Sequence, residues 1–140
     1  MKPVDQTVTG VLGNCLAACV ASILEVDLKQ VDFACGNYPP GKWLQPFQDR
    51  LAPLGFRYTE CRKLTTVKNF LEDRFFIATG PTKRLTLGSD LKPLLHSVVC
   101  KWDLDGAVEV VHDPHPSKMG LTEQWYYGVL VPVGSGKEKI

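Results

Sequence analysis

Ten residues near the front of the chain, Cys-Leu-Ala-Ala-Cys-Val-Ala-Ser-Ile-Leu from Cys15 to Leu24, restrict the fold more than any other segment. Leu16, Cys19, Val20, Ile23 and Leu24 recur at helical spacing, and Ala17, Ala18, Ala21 and Ser22 line the remaining sides with small side chains. A helix this narrow and apolar nearly all round is stable only when covered on several sides, so it is expected deep between two layers. Asn14 stands where an N-cap residue belongs, and the helix is predicted over 15–25. The segment does not read as a targeting signal. Its apolar part is short, Asp5, Gln6 and Asn14 interrupt the approach, and Glu25 and Asp27 follow in place of a small-residue cleavage site. No run reaches the ~18 apolar residues that a membrane span needs.

The remaining elements follow from periodicity and turn chemistry. Residues 3–13, with Pro3, Gly10 and Gly13, read as an extended arm ending in a loop. A short helical turn is predicted over Asp27 to Phe33. Trp43, Phe47, Leu51 and Leu54 mark a helix that Pro53 and Gly55 end. Short strands are expected at Phe56 to Glu60 and at Phe75 to Thr79, the second stopped by Gly80-Pro81, with a short helix between them over Thr66 to Asp73. Residues 82–92 read as a loop that could gate a site. Leu94 to Trp102 and Ala107 to Val111, joined by Asp103-Leu-Asp-Gly106, read as a hairpin, and Trp125 to Val133 supplies a last strand. Helices first and strands later indicate an α+β domain with an antiparallel sheet. With 140 residues, one domain over 1–133 and a flexible tail over 134–140 are expected.

Composition narrows the function classes. Charged residues make up 22% of the chain, the net charge is +1, and the cations are scattered, which leaves no electrostatic footprint for nucleic acid. Five cysteines are an odd number with no Cys-x-x-Cys pair, so neither a paired disulfide set nor a structural zinc site is indicated, and a reducing cytoplasm is the simplest home. No cofactor is implied.

Chemistry is concentrated in a few residues. Cys15 opens the small-residue helix, where unpaired backbone N–H groups favour a thiolate, while Cys19 lies one turn inside on the packing face. His96 begins the first strand of the predicted hairpin and Asp113 ends the second. Antiparallel pairing brings the start of one strand near the end of its partner, so His96 and Asp113 should be neighbours. Asp113 could then hold one ring nitrogen and aim the other at Cys15, the arrangement of an activated cysteine nucleophile. The Cys15 N–H and the Gln6 side-chain amide are candidate donors to a developing oxyanion. The plainer alternatives are a buried core cysteine, a structural strand histidine and a turn-starting Asp-Pro.

Asn14-Cys15-Leu-Ala-Ala-Cys19-Val-Ala-Ser-Ile-Leu24 resembles the nucleophile helix of papain-like cysteine peptidases, most of all the double-glycine leader peptidases of bacteriocin-exporting transporters. His96-Ser-Val-Val99 and the later Asp113-Pro114 are similar to that family's His-x-Val-Val strand and Asp-Pro strand end. The small chain beginning Met-Lys-Pro-Val also resembles bacterial and bacteriophage proteins of this fold. The resemblance implies a papain-like fold, Cys15 as nucleophile, His96 as base and acid, Asp113 as orienter and Gln6 as oxyanion donor. It covers residues 6–24 and 94–114. Two departures stand in it. Leu16 occupies the place of the family's glycine, and Gln6 lies further before Cys15 than is usual. Leader processing does not carry over.

The expectation is therefore a cysteine-dependent hydrolase acting on an amide or isopeptide bond of a peptide or protein, with no nucleic-acid or membrane partner. Deamidation or transglutamination would pass through the same acyl-enzyme. A binding module on a disused peptidase scaffold is a second reading, and a metal site from His112, Asp113 and His115 a third.

Overall fold

The computed structural model describes residues 1–9, 13–39, 41–63, 75–85, 93–103 and 105–133. Among the described residues three α-helices, α1 (Cys15–Leu24), α2 (Leu28–Val31) and α3 (Leu44–Leu51), precede five strands. The strands are β1 (Phe56–Cys61), β2 (Phe76–Leu85), β3 (Pro93–Trp102), β4 (Val108–His112) and β5 (Tyr126–Pro132). They form one antiparallel sheet in the order β1-β5-β2-β3-β4. The architecture is α+β, as the order of elements in the sequence indicated.

The small-residue helix behaves as its composition demands. Leu16 to Ser22 are all buried, and the alanines let α1 approach its neighbours closely. Its cover comes from two sides: Tyr58, Ile77, Val99 and Leu130 of the sheet, and Val31, Phe33, Phe47 and Leu51 of the helical layer. Each large apolar side chain buried here contributes about 1.5–3 kcal/mol relative to an exposed one. Strand alternation sends Phe76, Ala78, Val98 and Cys100 to the opposite face, where they pack with Tyr127 and Val129.

Two local expectations need correction. Asn14 does not cap α1 through its side chain. Its Oδ1 instead accepts the amides of Thr7 and Val8 at 3.0 and 3.1 Å, and its Nδ2 donates to Thr7 Oγ1 and Asp32 Oδ1, so it fastens the N-terminal arm. The second correction concerns Gly80-Pro81, which does not end the strand, since β2 continues to Leu85. β5 leaves β2 at the Thr79–Tyr126 pair, and the segment before β5 takes its place. There Trp125 N–H donates to Thr79 O at 2.9 Å and Thr122 N–H to Pro81 O at 2.8 Å. Gly80 is needed for this approach, because a Cβ there would stand 2.0 Å from Glu123 O. The expected helix over 66–73, residues 86–92 of the expected gating loop and the expected tail over 134–140 lie outside the described residues. No helix among the described residues is long and apolar enough to cross a membrane.

Candidate active site

The site forms where a ladder stops. Pairing of β3 with β4 runs from Trp102–Val108 to Val99–His112, with a register shift before the last pair. Residues 96 and 97 of β3 therefore have no β4 partner, and the chain after His112 turns away through Asp113-Pro114. Cys15, the first residue of α1, meets β3 at this open edge. Its sulfur is hydrogen-bonded with the His96 ring, and it also interacts with the backbone and side chain of Ser97.

His96 and Asp113 come together just beyond the paired part of their hairpin. His96 Nε2 lies 2.6 Å from Asp113 Oδ1, and both side chains are almost fully buried. With Nε2 so engaged, Nδ1 is the ring nitrogen left to face Cys15. The carboxylate is held on all sides. Oδ1 also accepts the His115 amide at 2.9 Å, and Oδ2 accepts the Gly120 amide at 2.8 Å. His115 stands edge-on to His96, with ring centroids 6.0 Å apart.

The electrostatics favour charge at each of the three positions. Burial disfavours the Cys15 thiolate. The hydrogen bond and charge of His96, with the Ser97 interactions, outweigh it and hold the thiol below its ordinary value. Burial also opposes the imidazolium, yet Asp113 and Cys15 together raise the His96 value. Asp113 loses by burial and gains more from His96 and the two amides, so its carboxyl sits well below the usual range. The other thiols run the opposite way. Burial pushes Cys35 and Cys100 up to about 12, raises Cys61, and raises Cys19 well above the ordinary value.

Gln6 lies on an arm whose backbone is tethered on both sides. Its amide donates to Pro114 O at 3.0 Å, next to Asp113, while Asn14, next to Cys15, holds Thr7 and Val8. His112 Nε2–H donates to Val4 O at 2.7 Å, and Ser22 Oγ accepts the Val4 amide at 2.9 Å. The buried Gln6 side chain spends one Nε2 hydrogen on Val8 O at 2.8 Å and keeps the second. Its Oε1 is buried without a partner among the described residues. The Cys15 N–H likewise has no acceptor among them, consistent with the first turn of a helix.

Sequence reasoning missed three participants: Ser97, Asn14 as the fastener of the arm, and His112 as its second anchor. His112, Asp113 and His115 do not converge on a shared centre. They serve Val4, His96 and the Ser117 amide respectively, and no group of three or more His, Cys, Asp or Glu is placed to hold a metal among the described residues. All five cysteines are free thiols. Compared with known proteins, the chain matches no family model, no curated protein and no solved structure.

Proposed function

We propose that the protein is a cysteine-dependent hydrolase of amide or isopeptide bonds in a peptide or protein, working through a thioester on Cys15. The observation that carries this reading is the hydrogen-bonded line from Cys15 through His96 to Asp113, closed by a 2.6 Å contact. A papain-like fold, the family resemblance of the two motifs, fits the order of a nucleophile helix followed by an antiparallel sheet.

The cycle balances with these groups alone. The Cys15 thiolate bonds to the substrate carbonyl carbon, and its electron pair moves onto the oxygen. The helix-start N–H and the remaining Gln6 N–H are suited to receive that oxyanion. The C–N bond then breaks, and the imidazolium of His96 gives its proton to the departing amine. Water attacks the thioester while His96 takes a proton from it. The C–S bond breaks, the acid leaves and the thiolate returns. Asp113 keeps the ring in one tautomer and stabilises its charged form. An amine in place of water would make the same intermediate an acyl-transfer step.

The test is intact-mass analysis after incubation with a peptide carrying an electrophile at the scissile position. One adduct is expected, at Cys15, absent from Cys15→Ala and slowed about 10²–10⁴-fold in His96→Ala. Cys35 and Cys61, both partly exposed, serve as internal controls. Equal labelling of Cys15→Ala would overturn the proposal.

A further inference from the structure

A line of residues leads across the sheet from the nucleophile. Pairing sets Ser97 opposite Thr79 and Thr79 opposite Tyr126, so the three form a row over β3, β2 and β5. Ser97 touches Cys15, Thr79 Oγ1 lies 2.8 Å from Ser97 Oγ, and the Tyr126 side chain is hydrogen-bonded with Thr79. Beyond Tyr126 the row opens into a recess of about 410 Å³ walled by Trp43, Leu44, Glu60, Arg62 and Tyr126. Its size suits one long side chain. Adjacent strands lie about 4.8 Å apart, so Tyr126 is about 10 Å from Ser97. An extended peptide advances about 3.3 Å per residue, which brings its second or third side chain to the recess.

The recess has a definite chemistry. Trp43 and Tyr126 supply aromatic walls. Glu60 pairs with Gly128 across β1 and β5, and Gly128 with Ile77, so its side chain rises on the α1 face. Its carboxylate accepts no hydrogen bond and makes no ion pair among the described residues. Burial raises its proton affinity, and Arg62 only partly offsets this. Arg62 stands two residues on, beyond ion-pair distance. An exposed carboxylate set beside aromatic faces is matched best by a cation.

We propose that this recess is the specificity pocket of the substrate groove and takes a Lys or Arg side chain two or three residues from the bond opened at Cys15. The stem of that side chain lies against Trp43 and Tyr126, and its charge meets Glu60. The substrate assignment rests on the hydrolase reading, whereas the pocket itself can be tested without chemistry.

Cys15→Ala protein is titrated with fluorescent peptides differing at one position, the second or third from the target amide, as Lys, Arg, Ala, Leu or Glu. Lys and Arg peptides should bind about tenfold tighter than the Ala peptide. Adding Glu60→Gln should abolish that preference, with an unaltered circular dichroism spectrum. Trp43→Ala should weaken the Lys peptide more than the Ala peptide. Equal binding of Lys and Ala peptides, a preference for Leu or Glu, or a Lys preference that survives Glu60→Gln would each overturn the pocket. The same peptides bearing an electrophile should label wild-type Cys15 in the same order. Selective binding without any labelling would keep the pocket and overturn the hydrolase reading instead.

Discussion

Asp113 and His96 stand 2.6 Å apart at a point their own hairpin does not reach, since the ladder joining β3 to β4 ends at Val99 and His112. Strand pairing alone therefore does not hold them. The amides of His115 and Gly120 fix the carboxylate, so the turn over residues 113–120 is part of the site. Gly120 adopts φ 72, a left-handed conformation that side-chain-bearing residues resist, which ties the turn to that glycine.

Asp113→Asn keeps the shape of this contact and removes its charge. The native carboxyl titrates below its ordinary value of 3.8. Its contribution to stability is thus present above pH 3.8 and lost as pH falls through the folded value. Thermal melts should show wild type losing stability on that acid side and the variant lacking this component. At pH 7 the rate of Cys15 acylation should drop about 10²-fold or more, because the imidazole loses its fixed tautomer. An acid slope identical to wild type would show that Asp113 is not the charged partner of His96.

The thiols should separate by pH. Cys15 is held below its ordinary value of 9.0, while Cys35 and Cys100 are pushed up to about 12. Brief iodoacetamide treatment at pH 7 should add one group, and peptide mapping should place it on Cys15. Lowering the pH protonates the Cys15 thiolate at its depressed value and slows alkylation. Raising it through the elevated His96 value neutralises the imidazolium and removes its charge from beside Cys15. His96→Ala should move the lower limb of this profile upward. A Cys15 profile centred at the ordinary thiol value would remove the ion pair and favour a binding role.

Much of this was legible in the chain. The Cys15–Leu24 run announced a buried helix through its spacing and small side chains. The hairpin with Asp103 and Gly106 in its turn predicted the meeting of His96 and Asp113, because antiparallel register is set by turn and length. The open edge at Ser97 was not legible. Pro114 signals locally where β4 must stop, but the one-residue register shift that decides which β3 residues lose a partner has no local pattern. Asn14 was misread for a related reason. An Asn before a helix satisfies either the helix amides or a neighbouring strand, and here Thr7 and Val8 outcompete the cap. Gly80-Pro81 looked like a stop because local propensity disfavours both residues in strands. The tertiary contact with Thr122 and Trp125 overrides it.

Gln6 offers a test that separates chemistry from thiol reactivity. The role proposed for its remaining N–H is to serve an oxyanion, which forms on a carbonyl but not during simple alkylation. Gln6→Ala should slow turnover of an amide or ester substrate about 10²–10³-fold. The iodoacetamide rate at Cys15 should stay close to wild type, since the His96 partnership is untouched. Equal losses in both assays would instead make Gln6 a structural residue of the arm it shares with Val8.

Gly128 should be intolerant of even one added carbon. A Cβ there would stand 2.2 Å from Tyr58 Oη and 2.3 Å from its ring. That ring cannot withdraw cheaply. Phe47 packs edge-on at 5.5 Å, Trp43 lies at 6.2 Å, and Gln48 holds the Tyr58 backbone through two hydrogen bonds of 2.6 and 2.8 Å. Gly128→Ala should therefore cost about 1–3 kcal/mol in urea denaturation, as overpacked sites do. Adding Tyr58→Phe removes the oxygen but not the ring, so the double variant should recover part of the loss and depart from additivity. Because Trp43 leans on the same ring, the single variant should also weaken peptide binding at the recess. Unchanged stability in Gly128→Ala would mean that the aromatic cluster yields freely and does not fix the pocket wall.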